Sequence, residues 1–190
     1  MVAWFAVLLL VSVIEVVPTL PDADAFYVDK SRPDTLKQMQ HMDVDPYFRD
    51  YQQQSRWRRL AEDLVGEPVT GGAPEWFNKP AGTNHPTPPH QDANYLPDPA
   101  LWIAWIPLDD CPLDRGPLAV VPGSHEGGLR PHEGATLDER EAESRAGDRW
   151  VAAALQPGDA LFFSALTLHR SLDNRTERLR LSVDLRFAPG

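Results

Sequence analysis

Residues 178–187 read Arg178-Leu179-Arg180-Leu181-Ser182-Val183-Asp184-Leu185-Arg186-Phe187, with polar and apolar side chains in strict alternation. Successive side chains of a β-strand point to opposite faces, so this period of two predicts a strand with one polar and one apolar face. The polar face can be a solvated outer surface, which is common in antiparallel sheets. It can also be an inner wall on which Arg180 and Ser182 bind an anion, because a guanidinium pairs bidentately with a carboxylate.

Short strands and turns are predicted for most of the chain from Glu75 onward. Apolar runs alternate there with turn signals rich in proline, glycine and aspartate. The polar, charge-rich residues 126–150 predict an exposed loop excursion between strands, either a lid over a pocket or a plain solvated loop. The predicted strands are Trp76–Lys79, Leu101–Leu108, Leu118–Val121, Ala160–Ser171 and Leu179–Phe187.

The first 70 residues are predicted to be mainly helical. Asp34 is a candidate N-cap for a helix over Thr35–Met42, and Ser55 for a helix through Val65 that Gly66 ends. A helical front followed by many strands predicts a mainly β fold with flanking helices around a double-stranded β-helix (jelly-roll, cupin-like) core. We expect one domain over residues 1–190, with the core in residues 75–188.

Composition and charge narrow the classes of partner. The 190 residues carry a formal net charge of −10, which argues against nucleic acid because phosphate backbones repel an acidic chain. The single cysteine, Cys111, permits no intrachain disulfide and fits a reducing compartment. Nucleic acid is therefore not expected as a partner, and the sequence assigns no oligomeric state.

The apolar stretch from Val2 to Ile14 bears on localisation. It is too short for a transmembrane helix, so no stable membrane insertion is expected. Ala23-Asp24-Ala25 has the form of a signal-peptide cleavage site, but no lysine or arginine precedes the apolar run. A cytoplasmic protein with a buried first helix or strand is the expectation, and secretion is the alternative.

The tripeptide His90-Gln91-Asp92 is a candidate metal-binding motif. In extended backbone the first and third side chains share a face, so an imidazole and a carboxylate converge. A second histidine would complete the two-histidine, one-carboxylate triad of non-haem Fe(II) oxygenases. His169 ends a long apolar run and is a candidate, although a histidine buried in the core is the alternative. The other histidines are weaker candidates because of their predicted surroundings: His41, His85, His125 and His132.

Several ordered motifs resemble the phytanoyl-CoA dioxygenase-like family of Fe(II)- and 2-oxoglutarate-dependent oxygenases. The resemblance covers roughly residues 60–188. Agreement of several motifs in order is far more specific than any one of them. The matching stretches are Trp76-Phe77-Asn78-Lys79-Pro80, Thr87 to Tyr95, Leu101 to Asp110, Arg115-Gly116-Pro117-Leu118, Pro122-Gly123-Ser124-His125 and His169-Arg170-Ser171 running to Arg180.

The resemblance implies roles for individual residues. It implies iron ligation by His90, Asp92 and His169, the catalytic centre, and 2-oxoglutarate binding by Arg180, which follows the late histidine by 180 − 169 = 11 residues. It adds weaker assignments to the 2-oxoglutarate site at Ser182, Ser171, Trp105, Asn78 and Lys79, and to the substrate pocket at Gln91 and Tyr95. Core packing is the alternative for Trp105 and Tyr95, and a solvated strand end for Lys79.

The resemblance also implies the reaction. It predicts hydroxylation of a small-molecule or acyl-type substrate by Fe(II), 2-oxoglutarate and O2, with succinate and CO2 as co-products and ascorbate as a supporting reductant. Asp92 favours hydroxylation over halogenation, since related halogenating enzymes replace this acid with a small residue. The alternatives are a cupin-like metalloenzyme that does not use 2-oxoglutarate and a non-catalytic jelly-roll binding module with a vestigial metal site. The front departs from the family pattern, which leaves the activity less determined than metal binding.

Overall fold

The computed structural model describes residues 9–12, 55–72, 74–82, 87–145 and 147–190. The helix expected over Thr35–Met42 and the Ala23-Asp24-Ala25 motif lie outside these ranges. Of the apolar N-terminal stretch, Leu9–Ser12 forms strand β1. That strand is one of the two structures expected for this stretch.

The alternating stretch at the C-terminal end forms the central strand of the larger sheet. This strand, β11 (Arg180–Pro189), pairs along one edge with β4 (Trp102–Pro107). Its other edge pairs with β3 (Glu75–Lys79) and β2 (Val69–Gly71). β4 continues to β9 (Asp159–Ser164), and β9 to β1, so that six antiparallel strands form one sheet.

The apolar face of β11 is covered by a helix. Helix α1 (Ser55–Val65) buries Trp57, Ala61 and Val65, which recur every four residues and so share one side of the helix. They pack in one cluster with the β11 side chains Val183, Leu185 and Phe187. The helix has the predicted bounds, and Gly66 follows it with a φ of 84°, a conformation that favours glycine at a helix end.

A smaller sheet faces the other side of the large one. It contains β10 (His169–Ser171), β5 (Leu118–Val120) and β8 (Val151–Ala152), all antiparallel. A second buried cluster fills the space between the sheets and joins β4, β5 and β9 through Ile103, Trp105, Val120, Leu161 and Phe163. The expected mainly β, jelly-roll fold is confirmed, and the polar face of β11 is an inner wall.

Two sequence-based predictions of local structure are wrong. The run Ala160–Ser171 is not one strand but β9 and β10, which belong to different sheets. The chain turns between them, where Thr167 N–H donates to the Ser164 carbonyl at 2.7 Å. Both strands and the turn are largely buried, and the small polar residues Ser164 and Thr167 were too weak a signal to indicate the break.

The excursion over residues 126–150 contains regular structure rather than a plain loop. Strands β6 (His132–Glu133) and β7 (Thr136–Leu137) form a hairpin, and helix α2 (Glu139–Ser144) follows. These elements are short and polar, which is why composition predicted a loop. Among the helices described, none is long and apolar enough to span a bilayer.

Candidate metal centre

The three predicted metal ligands come together where the two sheets meet. His169 begins β10, and its main chain forms an isolated antiparallel bridge with His90, with both N–H···O distances 3.0 Å. Gln91 is extended, with φ −124° and ψ 128°, and Asp92 starts a 3-10 turn over Asp92–Asn94. The extended residue between them places His90 and Asp92 on the same side, although Asp92 is in a turn rather than the expected strand.

The geometry of the three side chains suits one metal ion. Asp92 Oδ1 lies 3.5 Å from Nε2 of His90 and 3.5 Å from Nε2 of His169. One ligand atom of each residue lies within 4.8 Å of those of the other two, and all three residues are buried. An ion with ligand bonds of about 2.1 Å fits between atoms at this spacing. Two imidazoles and one carboxylate form the facial donor set of non-haem Fe(II) centres.

Main-chain carbonyls orient both imidazoles. His90 Nδ1 lies 2.8 Å from the Pro88 carbonyl, and His169 Nδ1 lies 3.0 Å from the Thr167 carbonyl. An imidazole that donates from Nδ1 carries its lone pair on Nε2, the atom that faces the centre in both residues. The ring tautomers and orientations required for metal binding are therefore fixed before any ion arrives.

The protonation states also suit a metal. Burial, assisted by neighbouring His90, lowers the pKa of His169 to about 4, so that this ring is neutral at physiological pH. Burial acts to raise the pKa of Asp92, but the adjacent imidazoles of His90 and His169 and the hydroxyl of Tyr95 outweigh this effect and hold it at about 2. Neither residue has to lose a proton near pH 7 to bind a cation.

Tyr95 lies beside the ligands, at the edge of the centre. Its hydroxyl forms a short hydrogen bond to Asp92 Oδ1, and its ring centroid lies 6.4 Å from that of His90. Burial and the neighbouring Asp92 carboxylate raise the pKa of Tyr95, so the phenol stays protonated and donates. The residue remains 49% exposed. It thus borders both the metal ligands and the solvent, the place expected for a pocket residue.

Gln91 does not line a pocket, contrary to the sequence-based prediction. Its side chain is fully buried, and its Nε2 donates to the carbonyls of Gly128 at 3.0 Å and Leu166 at 2.6 Å. Its Oε1 accepts from Arg130 N–H at 2.9 Å. All of these partners are main-chain groups, so the amide crosslinks the loops behind the ligands. The sequence could not reveal this because the partners are distant along the chain.

His132 is a supporting residue that the sequence-based reasoning dismissed. Its Nε2 accepts from Gln91 N–H at 3.2 Å, and its Nδ1 lies 2.7 Å from the Arg130 carbonyl. His132 therefore fixes the peptide between the ligands His90 and Asp92. Its polar sequence surroundings gave no signal of this contact.

A group of polar side chains on the inner wall forms a second part of the site. The cation site, as we call it, comprises Lys79, Arg180, Ser171, Ser182 and Trp105. Lys79 Nζ donates to Ser171 Oγ at 2.6 Å, and Arg180 Nη1 donates to Ser182 Oγ at 3.1 Å. Arg180 and Lys79 are directly paired between β11 and β3, and the guanidinium carbon lies 5.3 Å from the centroid of the Trp105 ring.

The two cations of this site are buried, and Asp173 acts on Lys79 and Asp184 on Arg180 electrostatically, without an ion pair. Lys79 is 5% exposed and Arg180 is 6% exposed. Burial and the adjacent Arg180 lower the pKa of Lys79 to about 8. Within the described residues neither has an ion-pair partner, and Arg180 Nε has no hydrogen-bond acceptor. Such cations are costly unless an anion joins them, so the pair is suited to bind a carboxylate.

Asn78 is not brought into the cation site. It pairs with Leu181 of β11, and directly paired residues point to the same face of an antiparallel sheet. Leu181 belongs to the alternating apolar series that faces α1, so Asn78 lies on the opposite face of β3 from Lys79. The expected contact of Asn78 with 2-oxoglutarate is therefore corrected.

Comparisons with known proteins agree with this geometry. The family model described as Phytanoyl-CoA dioxygenase (PhyH) matches residues 18–182. A probable phytanoyl-CoA dioxygenase of Caenorhabditis elegans is 29% identical over 80% of this chain and 54% of its own length. The 1-deoxypentalenic acid 11-beta-hydroxylase of Streptomyces exfoliatus is 31% identical over 69% of this chain and 53% of its own. The chain thus spans about half the length of these curated relatives.

A solved structure extends the likeness to bound ligands. The epimerase SnoN, crystallised in complex with Fe3+, alpha ketoglutarate and nogalamycin RO, superposes with a TM-score of 0.63 at 28% identity. The match covers 82% of this chain and 59% of that one. A His-Asp-His cluster able to hold a metal is present in this chain, and iron with 2-oxoglutarate is the cofactor set that this neighbour binds.

Proposed function

The chain belongs to the phytanoyl-CoA dioxygenase family, and from this premise we propose that it is an Fe(II)- and 2-oxoglutarate-dependent dioxygenase. The proposed reaction hydroxylates a small-molecule or acyl-type substrate with O2 and forms succinate and CO2. The named activities of the relatives, a dioxygenase and a hydroxylase, support this reaction class. The carboxylate ligand Asp92 supports hydroxylation over halogenation, because related halogenating enzymes have a small residue in its place.

The observation that carries the proposal is the pair of buried cations on the inner wall. A metal centre alone would need His90, Asp92 and His169, but it would have no use for Lys79 and Arg180. A cupin-like metalloenzyme without 2-oxoglutarate would bury two positive charges at a cost and without a function. A dicarboxylate co-substrate accounts for both the metal ligands and the cations.

Each side chain then has a defined task. Iron held by His90, Asp92 and His169 supplies the oxygen chemistry, which the protein itself cannot perform. The carbonyls of Pro88 and Thr167 keep both Nε2 atoms directed at the centre. The Tyr95 hydroxyl, through its bond to Asp92 Oδ1, holds the carboxylate in one orientation. These contacts keep the ligand geometry fixed through the reaction.

The cation site is proposed to bind the distal carboxylate of 2-oxoglutarate. Arg180 offers a planar fork with its Nε still free of an acceptor, and Lys79 adds a second charge. Ser182 and Ser171, which accept from these cations, keep them in place. Trp105 is 2% exposed and closes one side against water. Ascorbate is proposed only as a reductant in the assay.

The direct test is turnover of 2-oxoglutarate in the absence of the substrate to be hydroxylated. The purified protein with Fe(II), ascorbate and 2-oxoglutarate should form succinate, measured by mass spectrometry. The variant His169→Ala should lose this activity, and the exposed control Glu133→Gln should keep it. Metal binding without any 2-oxoglutarate turnover or binding would support the cupin-like alternative. Absence of metal binding would support a non-catalytic module.

A further inference from the structure

Asp184 follows Arg180 and Ser182 on the inner wall, and no role in metal or 2-oxoglutarate binding accounts for it. It pairs with Trp105 of β4 on one side and Glu75 of β3 on the other. Directly paired residues share a face of the sheet. Trp105 belongs to the cluster between the two sheets, so the Asp184 carboxyl also points between them.

The Asp184 carboxyl is buried without a partner. The residue is 6% exposed, and its Oδ1 has no hydrogen-bond partner. No hydrogen bond or ion pair to Asp184 occurs in the described ranges of the chain. The other buried acid, Asp92, is contacted by two histidines and a tyrosine. A buried polar group without a partner is costly, so Asp184 is poised for a group that the protein itself does not supply.

The charges around Asp184 define which group that is. Burial, followed by the charge of Asp92, raises the pKa of Asp184 well above its usual value, so a neutral carboxyl is expected. Arg186, the next residue on this face, is committed to an ion pair with Glu75. Asp184 also contributes to raising the pKa of Tyr95, which lies beside the metal ligands. Asp184 therefore lies within electrostatic range of both Asp92 and Tyr95.

Resting on the proposed function, we propose that Asp184 is a substrate-recognition residue beside the metal centre and binds a hydroxyl group of a neutral, hydroxyl-bearing substrate. A neutral carboxyl offers one donor and one acceptor, and a hydroxyl group offers the complementary pair. The carboxyl thus selects an alcohol-type group and orients the neighbouring carbon.

Other substrate chemistries fit this place less well. A carboxylate would face the acids Asp92, Asp184 and Glu75. An ammonium group would face the guanidinium groups of Arg180 and Arg186. A purely apolar group would leave Asp184 without a partner. A site with a buried polar group rejects analogues that cannot satisfy it.

Anaerobic binding to the protein loaded with Fe(II) and 2-oxoglutarate tests the proposal. The probes are four cyclohexane derivatives that differ in one substituent: cyclohexanol, methylcyclohexane, cyclohexylamine and cyclohexanecarboxylate. Binding is measured by isothermal titration calorimetry and by the change in the visible Fe(II)–2-oxoglutarate absorption. We expect cyclohexanol to bind at least tenfold more tightly than the other three.

Variants connect the preference to Asp184. Asp184→Leu should abolish it, whereas Asp184→Asn should retain most of it, because an amide also donates and accepts. Glu133→Gln, which removes an exposed charge on β6, is the matched control and should behave as wild type. If circular dichroism shows that Asp184→Leu does not fold, the wild type alone tests the proposal, which then stands or falls with its preference for cyclohexanol among the four probes.

The outcomes separate this inference from the function on which it rests. The role of Asp184 is overturned if the wild type binds all four probes equally, binds none of them, or prefers the amine or the carboxylate. It is also overturned if Asp184→Leu keeps the preference of the wild type. In these cases the Fe(II)–2-oxoglutarate absorption of the wild type is still present and the proposed function stands. A wild type that never develops this absorption overturns the proposed function, and the inference with it.

Discussion

Arg180 is the side chain that we expect to contribute most specifically to co-substrate binding. We expect Arg180→Ala to raise the KM for 2-oxoglutarate by one to two orders of magnitude, the loss of a charge-assisted contact worth roughly 1.5–3 kcal/mol. Arg180→Lys should recover only part of this, since an ammonium cannot reproduce the planar fork. Succinate formation at varied 2-oxoglutarate concentration measures the effect.

The matched control for Arg180 is Arg178 on the same chain segment. Arg178 is exposed and paired with Asp109 at 2.6 Å, so Arg178→Ala should leave the KM for 2-oxoglutarate unchanged. Anaerobic Fe(II) titration should give equal affinity in wild type, Arg178→Ala and Arg180→Ala. An equal KM in Arg180→Ala and wild type would contradict the co-substrate role, while the metal centre could stand.

We expect Lys79 to make the binding of 2-oxoglutarate dependent on pH. Its pKa is lowered to about 8, by burial first and by Arg180 second, so the ammonium loses its proton as pH rises through this value. Because the anion binds the charged form, the dissociation constant for 2-oxoglutarate should be constant below pH 8. Above it the constant should rise by up to tenfold per pH unit, and the rise should end at the pKa of Lys79 in the complex, which the bound anion raises.

Lys79→Met separates this effect from other titrations. The variant should bind 2-oxoglutarate more weakly at pH 7 and should show a flat profile between pH 7 and 9.5. Anaerobic calorimetry with the iron-loaded protein provides both profiles. A wild-type profile that stays flat through pH 9.5 would be inconsistent with a role for the Lys79 charge.

For single residues, the sequence indicated the roles of side chains that belong to recurring motifs. It did not indicate contacts between residues that are distant along the chain. The spacing in His90-Gln91-Asp92 and the alternation around Arg180 made these side chains candidates, and the resemblance to a known family favoured a site over the alternatives. Gln91 and Tyr95 could not be told apart, since both follow a metal ligand closely. Only their partners, the main chain for Gln91 and Asp92 for Tyr95, distinguish a buried brace from a residue at the edge of the pocket.

At the scale of elements, the hairpin β6–β7 supports the metal ligands directly. Leu137 N–H donates to the Pro89 carbonyl at 3.0 Å, and Asn94 Nδ2 donates to the Gly134 carbonyl at 2.7 Å. With the contact between His132 and Gln91, these bonds tie the hairpin to both sides of the ligand segment. The element is therefore part of the support of the site rather than an independent lid.

This support predicts an effect of His132 on metal affinity. We expect His132→Ala to weaken Fe(II) binding by about tenfold, the lower end of the range for residues that orient metal ligands. The control is His125→Ala, which removes a partly buried histidine from the 3-10 turn Ser124–Gly127. Anaerobic titration monitored by calorimetry measures both variants. Equal weakening in the two would indicate a general loss of stability instead.

A helix or strand could be predicted when the hydrophobic period of its sequence matched a difference in burial between its two sides. Helix α1 and strand β11 were predictable because each has one apolar and one polar side. The break between β9 and β10 was not, because both strands are largely buried and the turn Ala165–Leu168 contains one polar residue, the buried Thr167. The face of Asn78 required the register of β3 on β11, which no local pattern contains.

For the whole molecule, the −10 net charge and the cation site act in opposite directions. A dianion such as 2-oxoglutarate approaches an acidic protein against its overall field. Two adjacent buried cations, shielded from solvent by Trp105 and the paired sheets, provide the local attraction that offsets this field. The two-sheet fold thus supplies a low-dielectric place in which a few charges decide the binding.

The buried triad also couples metal binding to the stability of the whole fold. A ligand that binds only the native state stabilises it by about 2.7 kcal/mol at a hundred times its dissociation constant. For a chain of 190 residues, at about 2–4 °C per kcal/mol, this corresponds to a rise in Tm of about 5–10 °C. We expect anaerobic Fe(II), or redox-inert Mn(II), to produce such a rise, and a chelator to reverse it. In His169→Ala and Asp92→Ala the rise should disappear, whereas Glu133→Gln should retain it. Differential scanning calorimetry measures the shift, and an undiminished rise in both triad variants would place the metal elsewhere on the chain.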